Sequence, residues 1–174
     1  MTRSLSETGY NLLNRCNPTN SLLRAFSPLT FCRLKTKDEY YNTIDSLGLF
    51  IKKLNDEVNN GALVVVEGQR DAEALESIGF NGEPFLLCHN RGLARLARQA
   101  EDKRKVILLL DLDSKGRSLT KKTAILLQEK KHVIDLFFRR ELLSATRGRI
   151  RQIEELRRFK GYVQQFGNEY SRLE

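Results

Sequence analysis

Two aspartates, Asp111 and Asp113, directly follow a run of apolar residues and are the first candidates for chemistry. The run VILLL at 106–110 is typical of a strand buried on both faces of a parallel sheet. We expect both carboxylates at the carboxyl edge of that sheet, where open α/β sheets bind ligands. They can face one Mg²⁺ ion if the backbone turns, and residues 114–116 are of turn-forming types. The alternative is a strand exit with solvated acids.

A third carboxylate, Glu67, follows a second apolar run in the same way. That run is ALVVV at Ala62–Val66, and Asp71 lies near the start of the helical pattern behind it. Because the ends of parallel strands share one edge, Glu67 could converge with the two aspartates on one pocket. Carboxylate oxygens hold the divalent ions used in phosphoryl transfer. Asp71 stays open, since an acid near a helix start also favours the free N–H groups there.

The elements that must position these acids alternate between strands and helices. Further strands are predicted at 84–88 and 133–138, and helices at 91–99 and 119–129. This alternation predicts an α/β fold, with a four-stranded, mainly parallel sheet flanked by helices.

The sequence on either side of this unit is more basic and less regular. Residues 1–35 predict a basic, weakly ordered arm, with a targeting segment or sequence upstream of the domain as alternatives. Residues 36–60 predict an amphipathic helix that serves packing and ends at a left-handed Gly61. Residues 139–174 predict a basic helical extension whose apolar residues form an inner face: Leu142, Leu143, Ile150, Ile153, Leu156 and Phe159.

Composition limits the partners and the compartment. The 174 residues carry a net charge of +8, which favours a polyanionic partner, although a basic surface can also serve solubility alone. No apolar run approaches the length of a membrane span, so a membrane is not an expected partner. The three cysteines form no C-x-x-C pair, which excludes a zinc ribbon and favours a reducing, cytoplasmic location. The oligomeric state stays open.

Together, EGQRD at 67–71 and DLDSKG at 111–116 resemble the Toprim domain of topoisomerases, bacterial-type primases and related nucleases. The resemblance covers about residues 60–138, and we place the Toprim domain at 61–138. The basic tail is similar to that of small stand-alone archaeal Toprim proteins, which are related to the ribonuclease M5-like group that matures ribosomal RNA. Small primases are the other relatives of this kind.

The resemblance implies roles for three residues. Glu67 matches the family glutamate, a general acid or base that can also reach the metal. Asp111 and Asp113 match the pair that binds Mg²⁺ or Mn²⁺. The chain lacks a topoisomerase tyrosine module and a P-loop. Phosphatases of the haloacid dehalogenase type are disfavoured, because their Asp pair follows the first strand and has Thr or Val where Lys115 stands here.

Three basic residues are candidates for phosphate contacts: Arg70 lies near Glu67, and Lys115 and Arg117 are expected in the loop just past the aspartate pair. Lys121, Lys122 and most arginines of the tail are expected on solvated faces. The leading hypothesis is a metal-dependent nuclease acting on structured RNA, with RNA favoured over DNA. The alternatives are a primase-like nucleotidyl transferase and a non-catalytic nucleic-acid-binding accessory protein.

Overall fold

Four parallel strands form the sheet that positions the candidate acids. The computed structural model describes residues 37–88 and 92–161, so the predicted arm at 1–35 lies outside the described residues. The strands are β1 (Ala62–Val66), β2 (Phe85–Leu86), β3 (Lys105–Leu108) and β4 (Ile134–Asp135), in the order β2-β1-β3-β4. Every pairing is parallel, which confirms the predicted α/β sheet.

Helices cover both faces of this sheet. They are α1 (Lys37–Asn59), α2 (Gln69–Ser77), α3 (Gly92–Gln99), α4 (Ser114–Glu129) and α5 (Phe137–Ala145), followed by a 3-10 helix at Ile153–Phe159. Within the described residues, no helix combines the length and the apolar character needed to cross a membrane.

The apolar runs are explained by two cores, one on each face of the sheet. Along β1, Val64 and Val66 enter the core that contains α1, α2, α5 and the 3-10 helix. Leu63 and Val65 enter the core beneath α3 and α4. Because successive side chains of a strand point to opposite faces, a strand covered on both sides needs an apolar residue at every position.

Several predicted elements have different boundaries in the structure. The predicted strand at 84–88 is reduced to Phe85–Leu86. The predicted strand at 133–138 is reduced to Ile134–Asp135, and Phe137 already begins α5. Asp135 causes the change locally, since its Oδ1 accepts from the Phe137 amide at 2.7 Å and so favours the turn into the helix. The helix predicted at 119–129 begins earlier, at Ser114.

Two glycines allow helices to start close to the strand ends. A Cβ at Gly116 would lie 2.0 Å from the carbonyl oxygen of Asp111, and one at Gly92 would lie 1.6 Å from that of Leu87. Both distances are far inside van der Waals contact, so only glycine fits. Gly61 has a φ of +84°, as predicted for a left-handed helix end.

The described part of the predicted C-terminal extension, up to residue 161, belongs to the core, and residues 162–174 lie outside the described residues. Ile150, Ile153, Leu156 and Phe159 are buried, and the 3-10 helix packs against α2. Leu143 was predicted on the inner face with them, but its side chain is 45% exposed, so this expectation is wrong. The segment therefore reaches the carboxyl edge of the sheet, where it meets the candidate site.

Candidate active site

Glu67 and Asp111 lie side by side because their strands are neighbours in the sheet. The Leu109 amide donates to the Val65 carbonyl at 2.9 Å, which continues the β1–β3 pairing beyond the end of β3. One step further, the Asp111 amide donates to Glu67 Oε1 at 3.3 Å. The two carboxylates expected at the carboxyl edge are thus brought together, 44 residues apart in the chain.

Asp111 is also held by the C-terminal part of the chain. The Ile153 amide donates to Asp111 Oδ1 at 2.8 Å, and the guanidinium of Arg139 donates to the Asp111 carbonyl at 2.6 Å. The next amide, that of Leu112, donates to the Arg151 carbonyl at 2.7 Å. Asp111 is therefore oriented by α5 and by the start of the 3-10 helix as well as by its own strand.

Asp113 is the N-cap of α4. Its Oδ1 accepts from the Gly116 amide at 2.7 Å, which satisfies one of the free N–H groups of the first helical turn. Residues 114–116 were expected to form a turn and Lys115 and Arg117 to lie in a loop. Both expectations are wrong, since these residues form the first turn of α4.

Asp71 is the third residue of α2 and bonds back to the N-cap of that helix. Its Oδ2 accepts from the Gly68 amide at 3.0 Å, and the residue is only 8% exposed. Gly68 itself has a φ of −150°, an extended conformation open to any residue, so the bend between β1 and α2 does not require glycine at this position. Asp71 serves the start of the helix, and its burial raises the pKa of its carboxyl.

Burial and mutual repulsion make this group of acids reluctant to ionise together. Burial is the main cause that raises the pKa of Asp111 to about 6; the Ile153 amide opposes the rise, and the three neighbouring acids add to it. Burial also raises the pKa of Glu67, while the amide of Asp111 and the charge of Arg139 lower it. Carboxyls with raised pKa values at one edge of a sheet are typical of functional sites.

Arg139 is the site residue that sequence reasoning missed. It fell under the expectation that most arginines of the tail lie on solvated faces, but it is half-buried at Asp111. Its Nε is buried without a hydrogen-bond partner among the described residues. Burial and the nearby charge of Arg117 lower the pKa of its guanidinium. Only its position directly after the last predicted strand, at the same edge as the acids, could have suggested this role.

The other basic candidates are less closely attached to the acids. Lys115 is exposed on the first turn of α4, and the Arg117 guanidinium reaches the Leu112 carbonyl at 3.5 Å. Arg70 is exposed on α2 and lies 3.9 Å from Glu154. Arg117 is thus close enough to Arg139 to affect the pKa of its guanidinium, whereas Arg70 and Lys115 are exposed and are not bonded to Glu67, Asp111 or Asp113.

Glu67, Asp111 and Asp113 offer the hard oxygen donors that Mg²⁺ or Mn²⁺ requires. Each carboxylate uses one oxygen for a backbone amide and has a second oxygen for another ligand. A divalent cation would also relieve the repulsion among them. Within residues 41–88 and 92–161, no three His, Cys, Asp or Glu side chains are already gathered as a metal site. The donor types of Glu67, Asp111 and Asp113 therefore fit the ion.

The domain at this site is a Toprim domain. The Toprim domain family matches residues 62–154, more than half of the chain, so the protein belongs to this family. The match includes Arg139 and Ile153 and extends past the predicted boundary at residue 138. A Toprim domain implies a metal-dependent activity on nucleic acids, and domains of this kind occur in nucleases and primases and bind divalent metals.

Individual relatives define the group more narrowly. The UPF0292 protein of Archaeoglobus fulgidus is 35% identical over 109 residues, which span 63% of this chain and 85% of the relative. UPF0292 protein MJ1624 of Methanocaldococcus jannaschii is 32% identical, over 69% of this chain and 91% of its own length. The chain is thus a member of the UPF0292 group, which confirms the resemblance to small archaeal Toprim proteins.

A solved structure supports the same fold. A protein from Aquifex aeolicus superimposes with a TM-score of 0.55 and 31% sequence identity. The match covers 63% of this chain and 96% of the other.

Proposed function

We propose that the protein is a divalent-metal-dependent nuclease that hydrolyses phosphodiester bonds in structured RNA, such as a ribosomal RNA precursor. The observation that carries this proposal is the contact between Glu67 and Asp111, two half-buried acids with raised pKa values at adjacent strand ends. The choice of RNA rests on the resemblance of the motifs and the tail to the ribonuclease M5-like group.

Glu67 is proposed as the general acid or base. In hydrolysis a water oxygen bonds to phosphorus, the bond from phosphorus to one ester oxygen breaks, and that oxygen takes up a proton. A carboxyl whose pKa is raised towards neutrality can give and take protons at working pH. Burial raises the pKa of Glu67, and the amide of Asp111 holds its Oε1. Glu67 is therefore both suited to proton transfer and fixed in position.

The remaining residues would bind the ion and the phosphate. Asp111 and Asp113, with Glu67, would hold Mg²⁺ or Mn²⁺, which supplies Lewis-acid polarisation of phosphate oxygens when bound. Arg117 and Arg139 carry positive charges close enough to repel each other, and a phosphate between them would relieve that repulsion. Arg70 and Lys115 would contact phosphates further along the backbone.

The test is cleavage of a labelled structured RNA and a matched DNA with Mg²⁺, Mn²⁺ or EDTA. Wild type is compared with Glu67→Gln and Asp111→Asn, and with Glu76→Gln as the matched control. Glu76 is an exposed acid on α2 outside the candidate site. We expect metal-dependent cleavage that both site variants lose by at least about 100-fold, the scale of general acid–base catalysis, and that the control retains.

Other outcomes would redirect or end the proposal. Cleavage that survives in both site variants would refute the assigned chemistry. Preferential cutting of DNA would overturn the choice of RNA. If neither nucleic acid is cut, nucleotide incorporation on a primed template, measured with the same variants, would identify a nucleotidyl transferase. Salt-sensitive binding without either reaction would identify an accessory protein.

A further inference from the structure

The helices on the two faces of the sheet differ in charge. Helix α3 carries two basic residues and no acid, and α4 carries four basic residues and one acid. On the opposite face, α1 carries three basic residues against five acids and α2 one against three, while α5 carries two against one and the 3-10 helix two against two. Helices α3 and α4, called the α3–α4 layer below, therefore carry part of the net charge of +8.

Helices α3 and α4 form one continuous layer. Both pack on the same core, through Leu96 of α3 and Leu127 of α4, and they contact each other. Their apolar sides are thus already used inside the protein. The layer presents its charges to solvent on six exposed side chains: Arg95, Arg98, Lys115, Arg117, Lys121 and Lys122.

Within the described residues, none of these six side chains forms an ion pair with an acid, whereas two basic side chains on the opposite face of the sheet do. Lys53 pairs with Glu141, and Arg157 pairs with Glu73. On the α3–α4 layer, Arg95 lies over the ring of Phe85, 5.7 Å from its centroid. Arg95 also lines an open groove of about 560 Å³ with Arg98, Gln99, Asp102 and Lys103. Three bases and one acid leave this groove positive.

We propose that the α3–α4 layer is the surface on which a nucleic-acid strand lies, held by its phosphates, as it passes to the acidic site. This inference rests on the proposed function for its end point, because the N-cap of α4, Asp113, belongs to that site. The 16 residues of α4 span about 24 Å, the axial length of roughly seven base-pair steps of a B-form duplex at about 3.4 Å each. A membrane is a poorer partner, since peripheral helices bind bilayers through an apolar face and here that face is buried.

The test measures binding separately from cleavage. Fluorescence anisotropy of labelled RNA hairpins and DNA duplexes is followed in EDTA from about 50 to about 400 mM NaCl. The variants are Arg95→Gln/Arg98→Gln and Lys121→Gln/Lys122→Gln. The control is Lys52→Gln/Lys53→Gln, the same Lys-Lys pair on the acidic face in α1. Thermal melting checks that each variant folds.

We expect each α3–α4 double variant to lose two phosphate contacts. The slope of log affinity against log salt then falls by about 1.8, and affinity drops by about 60-fold near 0.1 M salt. The control should change affinity less than about threefold, because long-range surface charge is largely screened there. Equal losses in all three variants, no binding by wild type, or tighter binding of phosphatidylserine vesicles than of nucleic acid would overturn the proposal.

Its failure is distinguishable from failure of the nuclease. If wild type cleaves RNA but the α3–α4 variants bind as well as wild type does, this surface is wrong and the nuclease stands. If binding depends on the surface but no cleavage occurs, the nuclease is wrong and the surface stands.

Discussion

Neutralising Asp111 should make the protein more stable while abolishing its proposed activity. Burial and the surrounding acids raise the pKa of Asp111 to about 6, from 3.8 for an unperturbed aspartate. The ionised carboxylate is therefore less favourable in the folded protein than in the unfolded chain. Asn at this position removes the charge and keeps an oxygen that can accept from the Ile153 amide.

The size of the effect follows from the two pKa values. A rise from 3.8 to about 6 corresponds to a nominal cost of about 3 kcal/mol for the ionised form. Asp111 is only half-buried, so solvent screening reduces this to about 1–2 kcal/mol. Because the folded-state pKa is raised, the folded form binds the extra proton between about pH 4 and pH 6. The cost is absent below that window, grows across it and is complete above it.

The assay is urea unfolding of wild type and Asp111→Asn in EDTA from about pH 4 to about pH 8. The two proteins should have similar stability near pH 4, and the variant should gain about 1–2 kcal/mol above pH 6. Asp113→Asn is the matched control and should change little, because Asn also caps helices well, whereas Asp113→Ala should lose about 1 kcal/mol. A difference between wild type and Asp111→Asn that is zero at pH 7.5, or constant with pH, would refute this reasoning.

Three further outcomes are expected from the same geometry. Gly116→Ala should destabilise the protein by about 3 kcal/mol in thermal unfolding, because the added Cβ would lie 2.0 Å from the Asp111 carbonyl oxygen. Gly48→Ala should instead stabilise it by about 0.5–1 kcal/mol, because Gly48 lies inside α1 with nothing within 4 Å of the added Cβ. Equal losses of stability in the two variants would contradict the packing argument. Mg²⁺ at about ten times its dissociation constant should stabilise the wild type by about 1.4 kcal/mol, and EDTA should reverse this gain. The same concentration of Mg²⁺ should change the stability of Asp111→Asn little. Equal stabilisation of both proteins would count against Asp111 as a metal ligand. Arg139→Gln should raise the pKa of Glu67 further, because the charge of the Arg139 guanidinium lowers that pKa. If the Glu67 carboxyl titrates at the same pH by NMR in this variant and in the wild type, Arg139 and Glu67 are not coupled.

Much of the fold could be predicted because both faces of the sheet are covered. A strand with helices on both sides must be apolar at every position, so ALVVV and VILLL stand out from the amphipathic helices around them. The change of polarity at the end of each run also located Glu67 and Asp111 at the carboxyl edge. Their contact then followed from the pairing of neighbouring parallel strands.

The role of Asp113 illustrates a local ambiguity. An aspartate before a helix is a common N-cap, and the same residue can serve as a metal ligand. The types of residues 114–116 suggested a turn, but these residues form the first turn of α4, whose N-cap Asp113 accepts from the Gly116 amide. Residue type alone therefore could not decide where α4 begins.

By itself, the sequence determined the order of strands and helices along the chain and the edge of the sheet at which the acids lie, because apolar runs and changes of polarity involve only a few consecutive residues. Only the tertiary structure decided what surrounds Asp111. Arg139 lies 28 residues away, and the Ile153 amide 42 residues away. Hydrophobic periodicity records which side of an element is buried but not which distant segment it meets. A backbone amide has no sequence signature at all, since every residue except proline provides one.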